Sequence, residues 1–155
     1  MNWKGYVAVG AFIVLLSLAF CRPAKSAEVD LRPGLSFGPG GTGPVLGLQI
    51  YFPIGNRVDI YTGTDIFGHT SVAGTNWDWH AGFRTCRAMF CASVGASYIQ
   101  TIDRVNGAHT NYNLGLSWLI DWKRIASADY DHWSDLGTTP INKGRNVGFI
   151  AVRLQ

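Results

Sequence analysis

A histidine and a serine, His132 and Ser134, stand two residues apart near the C-terminus. A serine hydroxyl becomes a nucleophile when a neighbouring base takes its proton, and that base needs a third group to hold its tautomer. Residues two apart on a strand share a face, so His132 can reach the Ser134 hydroxyl. Asn146 opens the next extended run, across a polar loop containing Gly and Pro, and so stands opposite the pair. Backbone amides at the bend from Ser134 to Gly137 can hold an oxyanion. The chemistry in view is acyl transfer. The plainer reading is that a His-x-Ser pair arises by chance.

The elements that must position these residues are the two runs of a C-terminal β-hairpin, 124–134 and 146–155. On the first run Ala126, Ala128, Tyr130, His132 and Ser134 share one face. Ser127, Asp129, Asp131 and Trp133 share the other. On the second run Asn146 lies with Gly148, Ile150, Val152 and Leu154. The His and the Ser thus sit on the more apolar face, while two carboxylates point the other way.

The same alternation recurs upstream. Leu46, Leu48, Ile50 and Phe52 alternate with Gly47, Gln49 and Tyr51, and Val58, Ile60 and Ile66 with Asp59 and Asp65. Trp77, Trp79 and Phe83 alternate with Asp78, His80 and Arg84. Tyr112, Leu114, Leu116 and Trp118 alternate with Asn111, Asn113 and Ser117. Together with the first run after residue 28 and the one after Cys91, this makes eight strands and no convincing helix. The glycine loop 38–43 is not followed by a helix, so it reads as a turn and not as a phosphate cradle. Long connections near 38–44, 67–75, 103–109 and 135–144 alternate with short turns near 55, 88 and 122.

An even strand count with long and short connections in alternation is the pattern of an outer-membrane barrel. Strands of about ten residues match a tilted crossing of a bilayer. The apolar faces carry almost no charge and are rich in aromatics, including Phe37, Phe52 and Trp118. In an eight-stranded barrel the interior is filled by side chains. Asp30, Arg32, Asp59, Asp65, Asp78, Arg84, Asp129, Asp131 and Arg153 are then expected to pair inside. The rival is a soluble barrel of the lipocalin type, with the faces exchanged and the apolar side inward.

Residues 1–27 read as a secretory signal peptide, and residues 28–155 as the barrel. Lys4 supplies the positive start, Val7 to Phe20 is almost wholly apolar, and Ala24-Lys25-Ser26-Ala27 is a small-residue exit. The expected cleavage follows Ser26 or Ala27; a retained membrane anchor is the alternative. Cys21 follows Leu18-Ala19-Phe20, a poor lipoprotein box. Removing Lys4, Arg22 and Lys25 leaves ten basic against ten acidic residues. A neutral chain has no electrostatic case for nucleic acid. Export permits a disulfide, and Cys86 and Cys91 are spaced to clamp a hairpin; free thiols or zinc ligands are the other readings. His69, His80 and His109 show no metal-ligand spacing and read as ordinary polar positions. No cofactor or metal is expected.

The segment His132-Trp133-Ser134-Asp135 with Gly137, then Asn142-Lys143-Gly144-Arg145-Asn146 and a final strand, resembles the C-terminal signature of the lipid A 3-O-deacylases, the PagL-like family. The resemblance implies a serine esterase in an eight-stranded outer-membrane barrel, acting on the 3-O-linked acyl chain of lipid A in lipopolysaccharide. It implies His132 as general base, Ser134 as nucleophile and Asn146 as the group that orients the base. It implies an oxyanion hole at the backbone of Asp135 and Gly137. Three departures stand out. The orienting residue of that family is usually Glu, and here it is Asn146. The residue after the serine is usually Asn, and here it is Asp135. The chain ends on Gln155, where such barrels usually end on an aromatic.

The leading expectation is therefore an outer-membrane acyl-ester hydrolase with lipid A as partner, weakened by the missing acid. The alternatives are a non-enzymatic small outer-membrane barrel (structural, adhesive or a lapsed deacylase) and a soluble exported barrel that binds an apolar ligand.

Overall fold

The structure is a computed structural model, and it describes residues 26–71, 73–103, 105–120, 125–140 and 144–154. The leader up to Lys25, the turn at Trp122-Lys123, Asn142, Lys143 and Gln155 lie outside the described residues.

Alternating side chains and tight turns produce eight antiparallel strands. They are β1 (Glu28–Phe37), β2 (Gly43–Pro53), β3 (Val58–Phe67), β4 (Asn76–Arg87), β5 (Phe90–Ile99), β6 (Thr110–Leu119), β7 (Ala126–Ser134) and β8 (Arg145–Leu154). Each pairs with its sequence neighbour, and β8 returns to β1. The result is the closed up-and-down β-barrel expected. Closure puts Phe37 opposite Asn146 and Val29 opposite Leu154. It leaves no strand edge unpaired. The connections after β1, β3, β5 and β7 emerge at one end, and the C-terminal hairpin places its polar loop there too.

The faces are polar inside and apolar outside. Asp30, Arg32, Gln49, Asp78 and Asn113 are buried, while Leu35, Leu46, Trp79, Leu116 and Ile150 are exposed. The reversed arrangement that a soluble ligand-binding barrel requires is not found among the described strands.

Most of the buried charge pairs as expected. Arg32 bonds Gln49 and Asp131 and lies 3.4 Å from Asp129. Arg84 grips Asp59 through Nε and an Nη at 2.9 and 2.7 Å. Arg153 reaches Asp30 at 3.0 Å and Glu28 at 2.9 Å. Asp65 and Asp78 depart from that expectation: among the described residues neither forms an ion pair with an arginine, and His80 Nδ1 lies 3.7 Å from Asp65 and 3.3 Å from Asp78.

The interior is not polar throughout. Towards the long-loop end Val45, Phe67, Trp133, Val147 and Phe149 form a buried apolar plug. Trp133 meets Phe67 edge-on at 5.7 Å and Phe149 at 6.4 Å. Strand alternation makes this possible, since Trp133 points inward between two residues that point out. At the opposite end Cys86 and Cys91 are paired across the β4–β5 turn and form the expected disulfide.

Candidate active site

β7 and β8 bring His132 and Asn146 directly opposite one another. The His132 Nδ1 lies 2.8 Å from Asn146 Oδ1. A carboxamide oxygen only accepts, so this contact requires the proton on Nδ1. The lone pair is then on Nε2, the nitrogen a general base needs free. The hydrogen bond sits on the outward face, where His132, Ser134 and Asn146 are each half-buried.

Ser134 follows on the same face, one strand repeat beyond His132. Its Oγ accepts the Leu136 N–H at 3.1 Å. That bond turns the hydroxyl towards the bend after β7, where Leu136 and Gly137 both adopt positive φ (54° and 78°). Tyr112 and Leu114 of β6 lie opposite Ser134 and His132 and form the apolar floor beside them. Trp133, buried between the pair, anchors the end of β7 to the plug.

Asp135 turns away from the outer face and is buried. Its carboxylate accepts the Gly137 N–H at 2.9 Å and the Thr139 hydroxyl at 2.5 Å, and its carbonyl accepts the Thr138 N–H at 3.1 Å. The carboxylate therefore braces the loop, and the group on His132 Nδ1 is Asn146. The same bond engages the Gly137 N–H, one of the two amides expected to hold an oxyanion.

Two contributors escaped the sequence reading. The Tyr130 hydroxyl donates to Asn146 Oδ1 at 2.8 Å, the same oxygen that receives His132. Its ring lies 6.2 Å from that of Phe37 on β1. Gly144 lies against the imidazole: a Cβ there would stand 2.8 Å from His132 Cε1, and its φ of +66° suits glycine. Tyr130 was visible on the outward face, but a tyrosine on such a face reads as part of an aromatic girdle. Nothing in the spacing of Gly144 signals its contact.

None of these residues forms a metal-ligand group. Among the described residues the one set of three with ligand atoms within 4.8 Å of each other is Asp65, Asp78 and His80, inside the barrel. His80, read from sequence as an ordinary polar position, is thus brought to two carboxylates by the β3–β4 register.

No protein-family model, curated protein or solved structure matches the chain.

Proposed function

We propose that this chain is an outer-membrane acyl-ester hydrolase that removes the 3-O-linked acyl chain of lipid A. The observation that carries the reading is the 2.8 Å contact between His132 and Asn146 on the outward face, with Ser134 one repeat further along. An oriented imidazole one strand repeat from a hydroxyl, opening sideways among apolar side chains, suits a substrate that lies in a membrane. The surrounding exterior supports that placement. Leu35, Leu46, Trp79, Leu116 and Ile150 belong to an apolar surface that runs round the barrel, whereas soluble monomers rarely expose more than a few hundred Å² in one patch.

In this mechanism Asn146 holds His132 as the Nδ1–H tautomer. Nε2 takes the Ser134 proton as Oγ attacks the ester carbonyl. The Asp135 and Gly137 amides receive the oxyanion; Gly137 must first leave the Asp135 carboxylate. The imidazolium then protonates the departing sugar oxygen, and water hydrolyses the acyl-serine by the same base. Asn146 supplies orientation without charge, so turnover is slow.

A non-enzymatic outer-membrane barrel is the second reading. It is favoured by one observation, the engagement of the Gly137 N–H by Asp135. The test is the lipid A mass profile of bacteria expressing the chain. The proposal expects loss of one 3-linked acyl chain, abolished by Ser134→Ala. An unchanged profile with folded barrel in the outer membrane supports the second reading. A shortened lipid A that persists with Ser134→Ala removes Ser134 as nucleophile.

A further inference from the structure

We propose that Asp65, Asp78 and His80 form a binding site for a divalent first-row cation, of the zinc or manganese class, inside the barrel. The inference is independent of the esterase reading.

Asp65 and Asp78 are partners across the β3–β4 ladder, and both are fully buried. Like charges directly opposite on one face repel, and buried carboxylates need compensation. Elsewhere in the lumen that compensation is arginine. Among the described residues Arg32 is engaged by Asp129 and Asp131, Arg84 by Asp59 and Glu28, Arg153 by Asp30 and Glu28, and Arg145 by Asp103. Among the described residues no guanidinium lies within ion-pair distance of Asp65 or Asp78. Both oxygens of Asp65 and Oδ2 of Asp78 accept no hydrogen bond and are shut off from solvent. Asp78 Oδ1 accepts only the Asp65 backbone N–H, at 2.9 Å, beside its contact with the imidazole.

The spacing fits one ion. His80 Nδ1 lies 3.3 Å from Asp78 Oδ1 and 3.7 Å from Asp65 Oδ2. Ligands held at about 2.1 Å by a tetrahedral ion stand about 3.4 Å apart. One imidazole with two carboxylates is a mixed nitrogen and oxygen set, which suits a first-row ion better than calcium. A dication neutralises both carboxylates, which a protonated His80 alone does not. The neighbouring strand is cut back to admit the cluster: a Cβ at Gly47 would stand 2.0 Å from Asp65 Oδ1. The second Asp65 oxygen, also without a hydrogen-bond partner, can serve as a fourth donor.

The test uses the full barrel, folded in detergent, stripped with chelator and titrated with Co²⁺ and then Zn²⁺. The proposal expects one Co²⁺ per chain with the visible absorption of a four-coordinate nitrogen and oxygen site, displaced by Zn²⁺. Asp65→Asn and His80→Gln are each expected to weaken binding more than ~100-fold, since even outer-shell changes cost 10–100-fold. No saturable binding to the folded wild type overturns the proposal. So does binding that both variants retain, which places the ion elsewhere on the chain. If the variants do not fold, X-ray absorption at the zinc edge of the wild-type complex decides. One imidazole with oxygen-only partners near 2.0 Å supports the site. Two or more imidazoles overturn it.

Discussion

Replacing Asn146 with Asp tests the orienting role most directly. The carboxamide oxygen is 2.8 Å from His132 Nδ1 and receives the Tyr130 hydroxyl at the same distance. Asp has the same shape, so both donors remain satisfied and the imidazole keeps its tautomer. What changes is a full negative charge about 4 Å from the centre of the imidazolium that the proposed mechanism forms in its transition state. At an effective dielectric of ~20 that attraction is about 4 kcal/mol. Both side chains are half-buried, so screening by solvent halves it to about 2 kcal/mol. At 1.36 kcal/mol per decade this is a rise of ~30-fold in kcat. The upper bound comes from serine proteases, where exchanging the acid for its amide lowers turnover by ~10⁴. The assay is the rate of acyl release from lipid A by the purified barrel in detergent, with Asn146→Asp/Ser134→Ala as the blank. Asn146→Glu, with one more methylene, is expected to change the rate in the same direction. A folded Asn146→Asp barrel with an unchanged or lower rate would refute the claim that Asn146 supports His132 during turnover.

Tyr130→Phe deletes one donor to Asn146 Oδ1 and leaves an exposed ring in place. A neutral hydrogen bond contributes ~0.5–1.5 kcal/mol, so a 2- to 10-fold fall in kcat is expected, with the barrel's unfolding midpoint in urea nearly unchanged. Trp133→Ala empties the centre of the apolar plug and is expected to destabilise the barrel by about 3–5 kcal/mol, read from urea unfolding in detergent. Gly144→Ala places a methyl group against the His132 ring at an unfavourable φ; activity falls while the disulfide-bonded end of the barrel is undisturbed, which near-ultraviolet dichroism and acyl-release rates together report. Reduction of Cys86–Cys91 removes a short cross-link of the β4–β5 turn. A loop of that size contributes about 2 kcal/mol in the chain-entropy account, visible as a lower urea midpoint with the site's chemistry unaltered.

Strand alternation alone carries much of this protein. Leu46, Leu48 and Ile50 against Gly47, Gln49 and Tyr51 declare a two-faced strand, and eight such runs with alternating loop lengths declare a barrel. The period of two is local, so it survives in the linear chain. His132 and Ser134 share a face for the same reason, and Cys86 and Cys91 are close enough in sequence for their hairpin to bring them together. Which face turns inward was not decided by period, since an exported soluble barrel has the same alternation. Closure of β8 on β1, with Asp30 and Arg32 buried and Leu31 and Leu35 exposed, decides it.

Contacts between strands lie beyond what spacing can reveal. Register sets His132 against Asn146 and Asp65 against Asp78, and a slip of one residue would undo both. The resemblance assigned Asp135 a role through its backbone alone, and only the loop shows its carboxylate folded inward onto Gly137 and Thr139. Tyr130 and Gly144 join the site only because β7, β8 and their loop converge on one imidazole. The linear chain determined the strands, their two faces and the residues capable of chemistry, because those follow from neighbours two positions apart. Only the closed barrel decided which of those residues touch, because cross-strand pairing depends on the register of the whole sheet.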